Sequence, residues 1–200
     1  MNFLFTLWEG GGNVAPILEA ARKMMARGHA VRILTEGCVR SRVEAVGATF
    51  VAWQRGPNRE QRSRDTEVRD WAAATPQEGL LQVVRDVWCT PALSYAQDVL
   101  DELRRQPADL VIASEMMFGV MAACESVQQR FVILTSTVSM RTLPGVPPLG
   151  PGLAPARTEE ERAMHGQIAH AVEGMFDAGL PLLDQARAAL GLQPLQHLID

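Results

Sequence analysis

The chain of 200 residues contains no stretch of about 18 uncharged apolar residues, so no membrane-spanning helix is expected. Nor is there a basic block: the formal net charge is −4, which gives no footprint for a nucleic-acid backbone. Cysteine is scarce. Cys38, Cys89 and Cys124 lie far apart and form neither a C-x-x-C pair nor a dense disulfide framework, so free thiols in a reducing compartment are expected. No cationic-then-apolar leader opens the sequence, since Met1-Asn2 runs directly into an apolar run, and a cytoplasmic location follows as the expectation. His165 and His170 are five apart on a helical stretch and do not share a face, so no metal pair is predicted. A chain of this length can bury roughly 70% of its surface in one core, and one domain over residues 1–200 is the default reading.

The most informative stretch is Glu9-Gly10-Gly11-Gly12-Asn13-Val14-Ala15-Pro16. It follows an apolar run, Phe3 to Trp8, and precedes a segment with helical periodicity from Ile17 to Gly28. Strand, glycine turn and helix N-terminus in that order build a ligand site from backbone N–H groups. In open α/β sheets such a crevice lies at the carboxyl end of a strand.

Further on, Ala30–Thr35 and Ala48–Trp53 read as strands, with a helix over Cys38–Val46 between them. This β-α-β-α-β order predicts a Rossmann-like, doubly wound parallel α/β sheet. Residues 55–70 are charged and aperiodic and read as a mobile loop. A helical region over 79–105 is split at Pro91, a fourth strand runs over 107–114, a helix over 116–128, and a fifth strand over 131–135. Leu143–Pro155 is a proline- and glycine-rich loop, and 158–190 is helical with a break near Pro181.

Several side chains could carry function, and each has a structural alternative. Asn13 suits a helix N-cap and also a substrate contact. Glu9 faces the turn, as a solvated group or as a base. Glu115 opens a helix, where its charge suits the dipole, or serves catalysis. Trp8 belongs to the core with an indole edge at the crevice. Met116, Met117, Phe118 and Met121 either pack the core or line an adaptable apolar pocket. The Gly10-Gly11-Gly12 run lacks the G-x-G-x-x-G spacing of a dinucleotide turn.

Taken in order, the G-G-x-V-x-P turn through Pro16, Ala26-Arg-Gly-His29, Val43 to Phe50, Pro144 to Gly150 and Ala189 to Leu195 resemble the N-terminal half of GT-B glycosyltransferases. The nearest likeness is to the macrolide and antibiotic enzymes that use UDP- or TDP-sugars. The resemblance implies an acceptor-binding domain, with a small, largely apolar hydroxylated acceptor as partner. The nucleotide-sugar donor would be held by a C-terminal domain absent from this chain. It implies metal-independent, inverting chemistry and no cofactor. By the same token Asn13 and Glu115 become catalytic candidates, and Trp8, Glu9, Gly11, Gly12, Ser114 and Met117 substrate-binding candidates.

Two departures stand out. The family commonly has histidine or aspartate where this chain has Asn13, and an amide cannot act as a base near neutral pH. The partner aspartate falls at Ser114, with Glu115 the nearest carboxylate. A non-catalytic binding module derived from the same fold is therefore the alternative reading. Pairing of protomers into a homodimer is left open.

Overall fold

A computed structural model describes residues 1–63, 68–137, 139–141 and 143–199. Five parallel strands form one sheet: β1 (Asn2–Thr6), β2 (Ala30–Thr35), β3 (Thr49–Ala52), β4 (Leu110–Ser114) and β5 (Phe131–Leu134). Their order is β3-β2-β1-β4-β5, so the direction of winding reverses between β1 and β4. The sheet is the doubly wound α/β arrangement expected from the sequence. Strand registers pair Phe5 with Ile33 on one side and with Ile112 on the other.

Both faces of the central strands β1, β2 and β4 are covered, as parallel strands require, while the edge strand β5 leaves Val132 and Ile133 exposed. On one face α1 (Val14–Ala26) and α2 (Arg40–Ala45) pack on Phe3, Phe5, Val31, Ile33 and Ile112. Helix α1 buries Val14, Ile17, Leu18 and Ala21 at helical spacing and leaves Glu19, Arg22 and Lys23 in solvent. Each large aliphatic group buried this way contributes about 1.5–3 kcal/mol. On the other face α4 (Ala92–Arg105) and α5 (Phe118–Ser126) cover Leu4, Leu34, Val111 and Ala113, with the Trp53 ring tilted against Tyr95. A third apolar cluster joins the end of a long helical region to α7 (Leu180–Ala189) and the C-terminal Leu195, Leu198 and Ile199.

Several boundaries differ from the sequence reading. The long helical region starts at Pro76 with α3 (Pro76–Gln82), capped by Thr75, and continues as a π-helical stretch over Val83–Cys89 before α4. Pro91 splits the region as predicted. The second helix is a 3-10 turn over Gly37–Val39 followed by the short α2. β4 begins at Leu110, three residues after Pro107, with the Asp109 N–H donating to the Asn2 carbonyl just ahead of it. The break after α6 (Glu159–Phe176) falls at Asp177–Gly179, ahead of Pro181; Pro181 sits in the first turn of α7, where its missing N–H costs nothing. Thr158 and Glu161 close a reciprocal capping box on α6.

Residues 54–59 are anchored rather than mobile. The buried Asp98 carboxylate accepts hydrogen bonds from the backbone N–H groups of Gln54, Arg55 and Gly56 at 2.8–3.0 Å. Asn58 bridges Gly37 N–H and the Trp53 carbonyl, and Arg59 pairs with the buried Glu36. Aperiodic charge here encodes hydrogen bonding to distant backbone. Of the stretch read as a loop, residues 64–67 lie outside the described residues.

Among the described residues no helix is long and apolar enough to cross a membrane. Burial pushes the thiols of Cys89 and Cys124 up to about 12, and Cys38, half-buried, is also raised. A thiol reagent at pH 8 should modify Cys38 alone in the folded protein. Cys89 and Cys124 should react only on unfolding, and three fast thiols in the native state would contradict this packing.

The contact between α4 and α5 depends on one glycine. A Cβ on Gly119 would lie 1.9 Å from the Ala92 carbonyl oxygen. Gly119→Ala should cost roughly 3 kcal/mol in denaturant unfolding, because backbone must move to admit the methyl. A loss within a few tenths of a kcal/mol would show that the helices are free to separate.

Candidate active site

The crevice opens at the carboxyl ends of β1 and β4, where the winding reverses and the two outgoing chains diverge. The β1 side is the glycine turn. Gly11 takes φ +87°, and the Trp8 indole covers Gly10 so closely that a Cβ there would sit 2.7 Å from the ring. Only glycine fits both demands. Trp8 is half-buried against the Leu4–Trp53 cluster, with the Trp53 indole N–H donating to the Leu7 carbonyl.

Asn13 joins the two sides of the crevice. Its Nδ2 donates to the Trp8 carbonyl at 2.9 Å and to Ser114 Oγ at 3.4 Å, while Oδ1 accepts from Gly10 N–H at 3.2 Å. One side chain thus supplies a donor to one backbone group and an acceptor to another, which an amide can do and a carboxylate cannot. The N-cap bond anticipated for Asn13 is absent. Its backbone is already helical (φ −76°, ψ −21°), so the side chain turns back into the turn instead of over α1.

Glu9 is 4% exposed. Its Oε1 accepts from Gly11 N–H at 2.8 Å, and Arg42 and Arg62 stand within 3.6 Å of the carboxylate. The Glu9 backbone N–H donates to Glu36 and its carbonyl accepts from Arg59. This carboxylate is committed to holding the turn. Gly12 lies at the exposed lip, with open space where a Cβ would stand.

On the β4 side Ser114 is fully buried and Glu115 is 8% exposed. Both oxygens of Glu115 accept from Ser136, one from its N–H at 2.7 Å and one from its hydroxyl at 2.6 Å. Glu115 does not open a helix as expected; α5 starts at Phe118, and Glu115 lies in the turn before it. It binds the chain leaving β5 and faces a cavity of about 690 Å³.

Phe118, Met121, Phe131, Ile133 and Leu183 give that cavity its apolar walls, and Thr135, Thr137 and Arg141 lie on its polar side. Arg187 also borders it, paired with Glu125 at 2.8 Å and holding that carboxyl below its ordinary value. Met116 contributes to the wall and Met117 does not. Met117 is 1% exposed and packs with Leu4, Trp53 and Val120, which corrects its assignment as a substrate contact.

The structure thus gathers Trp8, Glu9, Gly11, Gly12, Asn13 and Ser114 around the ends of β1 and β4, and none of them lines the cavity, which Glu115, next in sequence to Ser114, borders. Ser136 and Arg59 were not singled out from sequence. The partners of Ser136 and Arg59 stand 21 and 23 residues away, without a spacing rule to connect them. Among the described residues no group of three His, Cys, Asp or Glu is arranged to hold a metal ion.

Similarity to known proteins agrees with this geometry. The chain is 29% identical over 147 residues to 4'-demethylrebeccamycin synthase of Lentzea aerocolonigenes, covering 74% of this chain and 35% of that protein. No family model matches. Among solved structures, the glycosyltransferase of kitacinnamycin superposes with a TM-score of 0.61 at 14% identity, over 96% of this chain and 40% of that one. This chain has the fold of one half of a GT-B glycosyltransferase. The glycosyltransferase SnogD from Streptomyces nogalater superposes with a TM-score of 0.57 at 16% identity, over 97% of this chain and 42% of that one. VinC, a glycosyltransferase crystallised with dTDP, gives 0.56 at 16% identity, over 98% and 46%. The chain spans about a third of the synthase and under half of these glycosyltransferases.

Because Asn13 satisfies a carbonyl and an N–H together, Asn13→Asp should lower stability by about 2 kcal/mol, setting a carboxylate oxygen against the Trp8 carbonyl. Chemical denaturation measures this; an unchanged midpoint would mean that the turn does not depend on the amide.

Proposed function

We propose that this chain is the acceptor-binding half of an inverting glycosyltransferase that moves a sugar from a UDP- or TDP-sugar to a hydroxyl of a small, largely apolar acceptor. The observation that carries the reading is a large apolar cavity bordered by Glu115, the residue next in sequence to the Ser114 that Asn13 contacts. A cavity of about 690 Å³ with mostly hydrocarbon walls suits a drug-sized ring system. The hydroxyl groups of Thr135 and Thr137 and the Glu115 carboxylate can orient its polar edge.

In the reaction proposed, the acceptor oxygen attacks the anomeric carbon and the nucleoside diphosphate departs. A group near the hydroxyl must take its proton. Asn13 cannot, and its amide is spent on Trp8, Gly10 and Ser114. Glu9 is spent on the turn. Glu115 is the carboxylate that borders the cavity, and each of its oxygens keeps a lone pair beyond the bond from Ser136. We therefore assign Glu115 as the base and Asn13 as the residue that fixes the crevice. Stabilisation of the leaving diphosphate would come from a donor-binding half.

A second reading is supported by the same residues. With an amide at position 13 and serine at 114, the chain keeps the acceptor site without the family's usual base pair, as a non-catalytic binding module would.

Calorimetric titration of this chain with hydroxylated polycyclic compounds, run beside an assay for acceptor-dependent release of TDP or UDP after the chain is joined to a donor-binding half, separates the readings. Binding with release supports the transferase, and Glu115→Gln should then cut release about 100-fold or more while the melting temperature holds. Binding without release favours the module. Absence of binding would overturn the acceptor site itself.

A further inference from the structure

Met116 stands at φ +66°, in the left-handed region that glycine enters freely and a methionine does not. Its neighbours impose that conformation. On one side β4 ends at Ser114, registered against β1 and β5, and Glu115 is hooked by both donors of Ser136. On the other, Met117 is buried in the core and Gly119 lies against the Ala92 backbone with no room for a methyl group. The chain has one residue, Met116, in which to pass from the hooked carboxylate to the buried methionine. A left-handed residue makes that reversal, and it sends consecutive side chains to opposite sides: Met117 into the core, Met116 onto the cavity wall with Phe118 and Met121.

A turn with only conformational demands is served better by glycine or asparagine. Backbone strain of this kind persists where the surroundings over-determine it, and it concentrates at ligand sites. We infer that Met116 is a specificity-determining residue: its flexible thioether forms the cavity wall next to Glu115 and sets which flat, apolar, hydroxyl-bearing ring systems fit. A methionine suits this task, since it adapts to irregular shapes and its sulfur makes favourable contacts with ring edges. The inference rests on the reading of the cavity as the acceptor site.

The test titrates the 200-residue protein with three fluorescent or coloured probes of increasing size: 2-naphthol, alizarin and 1-hydroxypyrene. Met116→Gly should raise the melting temperature, because strain is released and little packing is lost. It should also weaken 2-naphthol about tenfold relative to 1-hydroxypyrene, since the removed wall enlarges the site. Met116→Leu should keep the wild-type preference. Ile133→Trp, which fills the cavity from the β5 side, should abolish binding of all three.

If Met116→Gly lowers the melting temperature and leaves the probe preference unchanged, Met116 is a packing residue and the inference fails. If the probes bind and Ile133→Trp blocks them while Met116→Gly changes nothing, the inference fails and the acceptor site stands. If no probe binds the unaltered protein, both fail together.

Discussion

The hydrogen bonds of a single amide hold the crevice of this molecule together. Asn13 reaches back to the Trp8 carbonyl and the Gly10 N–H, and across to Ser114 on the neighbouring strand. These groups meet because the sheet reverses its winding between β1 and β4. The connections leaving those two strands go to opposite faces, so nothing covers the gap above them. A gap walled by unpaired backbone groups would be unfavourable. The amide satisfies a donor and an acceptor there, and leaves the space beside Glu115 open.

Buried charge does comparable work around the rim. Asp98, Glu36 and Glu9 are all withdrawn from solvent, and each accepts hydrogen bonds from backbone N–H groups of the segments it anchors. A carboxylate taken out of water needs such partners. The arrangement fixes residues 54–59 and the glycine turn in one mutual position, with Arg59 bridging Glu36 and the Glu9 carbonyl. The rim of the crevice is thereby made from loops held as firmly as regular structure. At the opposite end of the sheet Arg32 and Glu102 form a buried pair that ties β2 to α4.

The parts of the fold that were legible in the sequence share one property: their determinants are local. The run Phe3–Trp8, the glycine turn and the 3.6-residue spacing of Ile17, Leu18 and Ala21 need no knowledge of the rest of the chain. The same holds for Pro91 as a helix break. The errors were about partners. Residues 55–70 read as a mobile loop because Asp98 is more than 40 residues from Gln54–Gly56 in sequence. Asn13 suggested a cap because composition cannot show that its own backbone is already helical. Met117 looked as available as Met116 until a positive φ at Met116 sent the two apart.

The sequence by itself determined the element order, the parallel α/β class, the place of the glycine turn and the likeness to GT-B glycosyltransferases. Hydrophobic period, glycine and proline are short-range signals, and they are written residue by residue. Tertiary structure alone decided which polar atoms meet: Asn13 with Ser114, Glu115 with Ser136, Arg59 with Glu36. It also decided that one methionine of an adjacent pair faces a cavity and the other the core. Those outcomes depend on strand order and on the close approach of α5 to α4, distances set by packing across the whole domain and by no spacing along the chain.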